Sequence, residues 1–208
     1  IDFLPGQYVN LHVPGSDEHR AYSFSSPPGH SEVSFLIRDV PQGLMSTFMR
    51  RDAQPGTPMR FTGPYGSFYL RPIERPVLML AGGTGLAPFL SMLQWLRKHP
   101  SSQPITLGYG VNSTDDLVEL EALDALRQAL PHFDYFTVVV DPASGHPRTG
   151  YVTDHLAGAQ LHGGEVDIYV CGPPPMVEGV RRWVAAAGVT PRQFLFEKFT
   201  PATETVGA

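Results

Sequence analysis

The sequence predicts two joined folds: an antiparallel β-barrel over residues 1–72, then an α/β domain with a parallel sheet over 73–199, leaving 200–208 as a C-terminal tail. Three observations carry this. The first third consists of short apolar runs bounded by Pro and Gly, the texture of a small antiparallel barrel. From Arg71-Pro72-Ile73-Glu74-Arg75-Pro76 onward, strands alternate with helical patterns of about 11 to 14 residues, the mark of βαβ units. The length of 208 residues, against a prior of about 150 per domain, allows one large domain or two small ones.

In the first fold, Gln7 to Val13 alternates Tyr8, Asn10 and His12 against Val9, Leu11 and Val13, and Pro14-Gly15 closes the run as a turn. Ala21 to Ser25 and Glu32 to Arg38 read as two more short strands. Gly43 to Arg51 reads as a short helix, with Leu44 and Phe48 on one face beside Met45 and Met49. Pro58 to Phe61 reads as a fourth strand and Gly63-Pro64-Tyr65-Gly66 as a turn. In the second fold the expected strands are 77–81, 105–109, 136–140, 168–171 and 193–196. The expected helices are 88–97, 117–130, 152–161 and 175–187. The last helix sets Met176, Val180, Trp183, Val184 and Ala187 on one face, with Pro at its start and Gly188 after its end.

Composition narrows the function. Apolar residues at 42% and charged residues at 17% are ordinary for a globular chain, so disordered, collagen-like and coiled-coil readings fall away. Cys171 is the only cysteine, which excludes an intramolecular disulfide, a four-cysteine zinc site and a cysteine-held iron–sulfur cluster in this chain, and no metal site is expected. No run approaches the ~18 apolar residues of a membrane span and no signal-peptide pattern opens the chain, so it reads as soluble and cytoplasmic. Of the net charge of −5, the first 75 residues contribute none, with seven Arg against seven acidic residues; eight basic and thirteen acidic residues follow. Without a basic stripe, nucleic acid is not an expected partner. Opening at Ile1, without Met and inside the approach to a strand, the sequence reads as a fragment.

Five stretches carry chemistry. Val77 to Ala81 leads through Gly82-Gly83-Thr84-Gly85-Leu86-Ala87-Pro88 into a helix, and glycines before a helix start let the backbone approach an anion. It is not the G-x-G-x-x-G fingerprint, so a plain tight turn stays open as well. Arg20-Ala21-Tyr22-Ser23-Phe24-Ser25 puts a cation and an aromatic ring on one face of a strand and hydroxyls on the other, which suits a flat heteroaromatic bearing a diphosphate or an ordinary barrel strand. Gly43-Leu44-Met45-Ser46 opens a helix and offers either a second phosphate site or a capped surface helix. Tyr169-Val170-Cys171-Gly172-Pro173-Pro174-Pro175-Met176 runs from strand into helix at the sheet's carboxyl edge, where ligands of open α/β sheets bind, although a lone cysteine there can equally be core. The last strand ends Phe194-Leu195-Phe196-Glu197-Lys198-Phe199, with Glu197 and Phe199 emerging on one side, or as a solvated sheet edge.

Taken in chain order, Arg20-Ala21-Tyr22-Ser23, Gly43-Leu44-Met45-Ser46, Gly82-Gly83-Thr84-Gly85-Leu86-Ala87-Pro88 and Cys171-Gly172-Pro173-Pro174 resemble the motifs of the ferredoxin–NADP reductase superfamily, over essentially the whole chain. Phe35-Leu36-Ile37-Arg38, Pro41-Gln42-Gly43-Leu44-Met45-Ser46 and the ending Phe196-Glu197-Lys198-Phe199 look most like the FAD- and NAD-binding reductase components of benzoate-type aromatic-ring-hydroxylating dioxygenases. That resemblance implies that Tyr22 packs on the flavin of FAD, Arg20 pairs with its diphosphate, Ser23 hydrogen-bonds near N5, Gly43 and Ser46 hold the other side of the diphosphate with Met45 beside them, and Ile37 and Arg38 line the flavin. It implies that Gly83, Thr84 and Gly85 meet the NADH diphosphate with Asn112 nearby. Cys171, Gly172, Pro173, Met176 and Glu197 would then flank the nicotinamide, and Phe199 would cover the flavin face, with Ser23, Cys171, Glu197 and Phe199 as the catalytic group. The family's barrel has six strands against about four legible here, and its cluster-binding cysteines are absent, so the [2Fe–2S] centre is expected on a missing domain or a partner: a ferredoxin domain or the oxygenase's iron–sulfur component.

The implied reaction passes hydride from NADH to FAD and then single electrons to that acceptor. Gly110 to Asp116 has two carboxylates and no cation to read a 2′-phosphate, so NADH is expected over NADPH. The same residues also suit the reductase module of a flavohaemoglobin, a free flavin reductase, or a regulatory module that holds FAD without turnover.

Overall fold

Alternation in the first run becomes a half-buried strand. β1 (Tyr8–His12) buries Val9 and Leu11 and leaves Tyr8, Asn10 and His12 partly covered. The computed structural model describes residues 1–199. They form two compact units, one of Ile1–Pro72, Leu86–Ser102 and Leu120–Pro131, the other of Ile73–Gly85, Gln103–Glu119 and the chain from His132. The first break falls within the Pro- and Arg-rich stretch; the tail at 200–208 lies outside the described residues.

In the first unit β1 pairs antiparallel with β2 (His19–Ser23) and β3 (Phe61–Tyr65), in the order β2-β1-β3. Phe3, Val9 and Phe24 form one apolar cluster, with Phe3 stacked on Phe24 at 3.8 Å between ring centres. Leu11, Val13, Met45 and Phe48 form another, which joins the sheet to α1 (Leu44–Arg51). Two expectations fail here. Residues 32–38 are not a strand: beyond a single Phe24–Phe35 bridge, serines hold this segment. The Ser25 and Ser34 hydroxyls lie 2.8 Å apart and Ser34 N–H donates to Ser26 Oγ at 3.0 Å, a local alternative to a ladder. The strand read at 58–61 lies instead at 61–65 and contains the Gly63-Pro64 read as a turn. β3 is an edge strand, where proline's missing N–H costs no ladder bond, and the register shifts beside it.

The second unit is a five-stranded parallel sheet, β4 (Val77–Gly82), β5 (Ile105–Val111), β6 (Phe133–Val139), β7 (Asp167–Gly172) and β8 (Gln193–Lys198), in the order β6-β5-β4-β7-β8. The central β4 and β7 are almost wholly buried, as strands covered on both faces are. Asp167, 1% exposed, anchors the start of β7: Arg75 Nη1 donates to its two carboxylate oxygens at 3.2 and 3.0 Å. α2 (Ala87–Leu96) and α3 (Leu120–Ala129) follow β4 and β5 in the chain and group with the first unit, whereas α4 (Pro174–Ala186) belongs to the second.

The helix expected over 152–161 is two separate 3₁₀ segments, Val152–His155 and Gly158–Gly164. Asp154 accepts the Tyr151 N–H and Gln160 the Ala157 N–H, so each turn is capped on its own, and left-handed His162 and Gly163 end the second. α3 starts three residues later than expected, because Glu119 has φ +60° and Thr114–Asp116 forms its own turn. On α4 the buried stripe is Val177, Val180 and Val184, with Met176 and Trp183 packed beside it; Ala187, expected on that face, is exposed.

Candidate functional site

The chain runs outward from β4 to β6, then returns to lay β7 on the other side of β4, so the sheet's switch point lies between β4 and β7. Ligands of open α/β sheets enter at the carboxyl ends beside such a point. Ala81 pairs with Cys171 in the β4–β7 register, so the glycine motif and the Cys-Gly-Pro motif leave adjacent strand ends together.

Glycine is required there for two different reasons. A methyl group on Gly82 would stand 2.6 Å from Met176 Sδ and 2.9 Å from Pro173 Cδ, and one on Gly172 would stand 2.9 Å from the same sulfur. One on Gly85 would run into the Cys171 carbonyl oxygen. These three let the strand ends and turn touch. Gly83 differs: its φ is +55° and nothing lies within 4 Å of where a methyl would be. The open backbone is therefore at Gly83, next to half-buried Thr84, in the 3₁₀ turn that follows β4. That donor set fits a dinucleotide diphosphate.

Cys171 is fully buried. Burial first, then the charge of Glu197, push its thiol well above the ordinary value, so it is a neutral thiol rather than a nucleophile. Glu197 lies opposite Cys171 in the β7–β8 register, and Phe199 N–H donates to the Gly172 carbonyl at 3.0 Å. Cys171, Gly172, Glu197 and Phe199 thus meet at one sheet edge. Beyond β5, Asn112 is exposed and its carbonyl accepts the Asp141 N–H at 3.2 Å. Asp116 accepts both the N–H and the hydroxyl of Ser113, and Tyr109 OH donates to the Asp116 carbonyl, which fixes this loop.

In the first unit, Tyr22 and Ile37 pack partly buried against the cluster of Leu11, Val13, Met45 and Phe48. Three of the residues expected around a flavin, Tyr22, Ile37 and Met45, therefore share one apolar wall. Met45 is 3% exposed and works there as core. Burial raises the Tyr22 hydroxyl's pKa against the opposing pull of Arg20. Arg20 Nη1 donates to Glu18 Oε2 at 2.8 Å and to the His19 carbonyl at 2.7 Å. Ser23 is buried on the strand face opposite Arg20 and Tyr22.

Ser46 closes the loop before α1. Its hydroxyl accepts the Val40 N–H at 2.9 Å and donates to the Arg38 carbonyl at 3.2 Å, while Gly43 N–H donates to the Val40 carbonyl. A side chain at Gly43 would crowd Val40 and Ser46 at 3.1–3.3 Å. Gly43 gives α1 no side-chain cap; its first turn has no acidic residue and its last holds Arg50 and Arg51. The first-turn N–H groups of such a helix lack internal acceptors, and an anion is their natural partner, so this set fits a second diphosphate. Sequence reasoning missed Glu18 as the partner of Arg20, Gly82 as a close-packing glycine and Asp116 as a loop cap. Gly82, which precedes the Gly-Thr-Gly motif, and Asp116, three residues after Ser113 in a capping-box spacing, both left a signal.

Residues 1–69 match the oxidoreductase FAD-binding domain and residues 79–182 the oxidoreductase NAD-binding domain. The chain belongs to the ferredoxin reductase family. Among curated ferredoxin reductase relatives, it is 56% identical over 209 residues to the 2-halobenzoate 1,2-dioxygenase electron transfer component of Burkholderia cepacia, covering 100% of this chain and 61% of that protein. It is 54% identical over 199 residues to the toluate 1,2-dioxygenase electron transfer component of Pseudomonas putida, covering 96% and 59%. The chain thus spans about three-fifths of the length of these relatives. Among solved structures, the flavohem-like FAD/NAD-binding domain of nitric oxide dioxygenase from Vibrio cholerae superposes with a TM-score of 0.84 at 25% identity, covering 97% of this chain and 87% of that one. The ferredoxin reductase in carbazole 1,9a-dioxygenase gives 0.82 at 26% identity, covering 96% and 61%.

Proposed function

We propose that this chain is the FAD- and NADH-binding part of the electron transfer component of an aromatic-ring-hydroxylating dioxygenase, oxidising NADH and serving an iron–sulfur acceptor on a ferredoxin domain or on the oxygenase. The observation that carries the reading is the meeting of the open Gly83 turn with the Cys171-Gly172-Pro173 strand end at the switch point, in a chain that also holds the uncapped α1. Bound FAD supplies the link between a two-electron hydride donor and a one-electron acceptor.

The residues do the positioning. Tyr22, Ile37 and Arg38 line the flavin side, Ser23 donates a hydrogen bond near its reactive edge, and Arg20 leaves Glu18 to meet the diphosphate together with the α1 N-terminus. Ser46 and Gly43 keep that N-terminus open by holding the 38–43 loop. In the second unit, Gly83 and Thr84 meet the NADH diphosphate, Gly82, Gly85 and Gly172 hold the turn in place, and Cys171, Pro173, Met176, Glu197 and Phe199 frame the nicotinamide. A neutral Cys171 adds bulk without charge beside the ring. The segment after β5 carries Asp115 and Asp116 and no cation to read a 2′-phosphate, which supports NADH over NADPH. No described helix is long and apolar enough to cross a membrane, and the reading sets the protein in the cytoplasm, where NADH is available. The test is NADH-driven reduction of a one-electron dye by the FAD-loaded chain. A higher kcat/KM with NADH than with NADPH is expected; dye reduction that needs no FAD, or that NADPH drives better, contradicts the reading.

A further inference from the structure

Within the first unit, the segment after Ser25 and the end of α2 frame a cavity of about 540 Å³, a volume in the range of small-molecule sites. The two walls are tied together. Gln94 Nε2 donates to the Ser25 carbonyl at 3.0 Å, and the bonds among Ser25, Ser26 and Ser34 hold the loop opposite α2. Part of the lining is apolar and flat: Pro27, Pro28 and Val33 come from the loop, and Trp95 from the last turn of α2. His99 stacks on the indole at 3.6 Å between ring centres, with 16° between the planes, and does not itself line the cavity. The indole is thus held in place by a residue that leaves the cavity free.

Arg97 and Lys98 add positive charge to the same lining. Cations just past a helix C-terminus are ordinary. These two differ from Arg20, Arg50 and Arg192, which each hold a carboxylate, because neither makes an ion pair among the described residues. Lys98 Nζ stands 3.5 Å from His30 Nε2, a contact that leaves its charge uncompensated. Glu32 is the one acid in the lining. Two cations against one acid leave one positive charge, which matches a monoanion better than a phosphate.

We propose that this cavity binds a planar aromatic carboxylate, with the ring against Trp95, Pro27 and Pro28 and the carboxylate on Arg97 and Lys98. The guanidinium fork matches the two oxygens of a carboxylate, and the lysine adds a point charge. The indole and the two proline rings offer apolar surface to a flat ring, and ring-on-ring contact adds to the area they bury. Glu32 limits the charge the site accepts, since a second negative charge on the ligand would meet its carboxylate. The site lies apart from the residues set around FAD and NADH.

Calorimetric titration of the full chain with benzoate tests this. Saturable one-site binding is expected, weakened about tenfold by Arg97→Gln, strengthened about twofold by Glu32→Gln, and unchanged by Arg127→Gln, an exposed charge on α3 that does not line the cavity. Benzamide, which keeps the ring and lacks the charge, should bind about tenfold more weakly than benzoate. Cyclohexanecarboxylate, which keeps the charge and lacks the flat ring, should bind about fivefold more weakly, as should benzoate to Trp95→Leu. Circular dichroism of each variant verifies its fold. If Trp95→Leu fails to fold, Arg97→Gln and Glu32→Gln still decide, since both side chains are exposed and act in opposite directions. No saturation at tens of millimolar benzoate, binding that survives Arg97→Gln, weaker binding in Glu32→Gln, or inorganic phosphate or cyclohexanecarboxylate binding as tightly as benzoate overturns the proposal.

Discussion

In the parallel unit, bare backbone does the positioning; in the antiparallel unit, side-chain hydrogen bonds do it. The strand ends of β4 and β7 touch because Gly82, Gly85 and Gly172 have no side chains to keep them apart, and one further glycine, Gly83, is left open. The 38–43 loop instead depends on one hydroxyl, that of Ser46, which joins Val40 to Arg38. A site of the first kind tolerates almost no added atom. A site of the second kind loses a definite number of hydrogen bonds when a residue is trimmed and keeps its packing.

The largest effect should come from Gly85→Ala, which drives a methyl group into the Cys171 carbonyl and should cost about 3 kcal/mol in urea unfolding. Gly83→Ala, with open space but a left-handed backbone, should cost only about 1–2 kcal/mol while weakening NADH binding. A reversed order would break the contrast between close packing and open backbone. In the antiparallel unit, Tyr22→Ala removes a half-buried ring from the cluster around Phe48 and should cost about 1–2 kcal/mol, with purified protein retaining less FAD than wild type. Ser46→Ala leaves the Val40 N–H without its side-chain acceptor and should cost about 1 kcal/mol, with FAD affinity falling as the loop loosens. Were Ser46→Ala to destabilise as much as Gly85→Ala, the two units would not differ in the way described.

The smallest effect is one of pH. The Cys171 thiol is raised in the folded state, chiefly by burial, so the folded chain holds this proton more tightly than the unfolded chain. Its contribution is therefore complete below the ordinary thiol value of 9.0 and is lost as pH rises above it, with a slope approaching about 1.4 kcal/mol per pH unit. Denaturation of wild type and Cys171→Ala at pH 7 and pH 10 should show a difference that narrows at the higher pH.

The same contrast governs what could be read from the sequence. β4, β5, β7, β8, α2 and α4 were legible because a buried parallel strand is a continuous apolar run and an amphipathic helix has a period, and the glycine motif was legible because close approach at Gly82 and Gly85 and a left-handed backbone at Gly83 favour glycine. The segment at 32–38 looked like a strand because its apolar alternation is real, but the hydroxyls of Ser25, Ser26 and Ser34 organise it locally. The span 152–161 read as one helix, and the caps at Asp154 and Gln160 divide it into two short turns. In the sites, the ion pair of Glu18 with Arg20 is a choice of partner at the surface that no spacing announces, whereas the bonds of Asp116 to Ser113 form a capping box whose Ser-x-x-Asp spacing is written in the sequence.

The central claim, that FAD held by this chain is reduced by NADH, is tested most directly by anaerobic titration of the FAD-loaded chain while its visible absorbance is followed. One equivalent of NADH should bleach the flavin band, and faster than NADPH does; a band that persists in excess NADH would contradict the account.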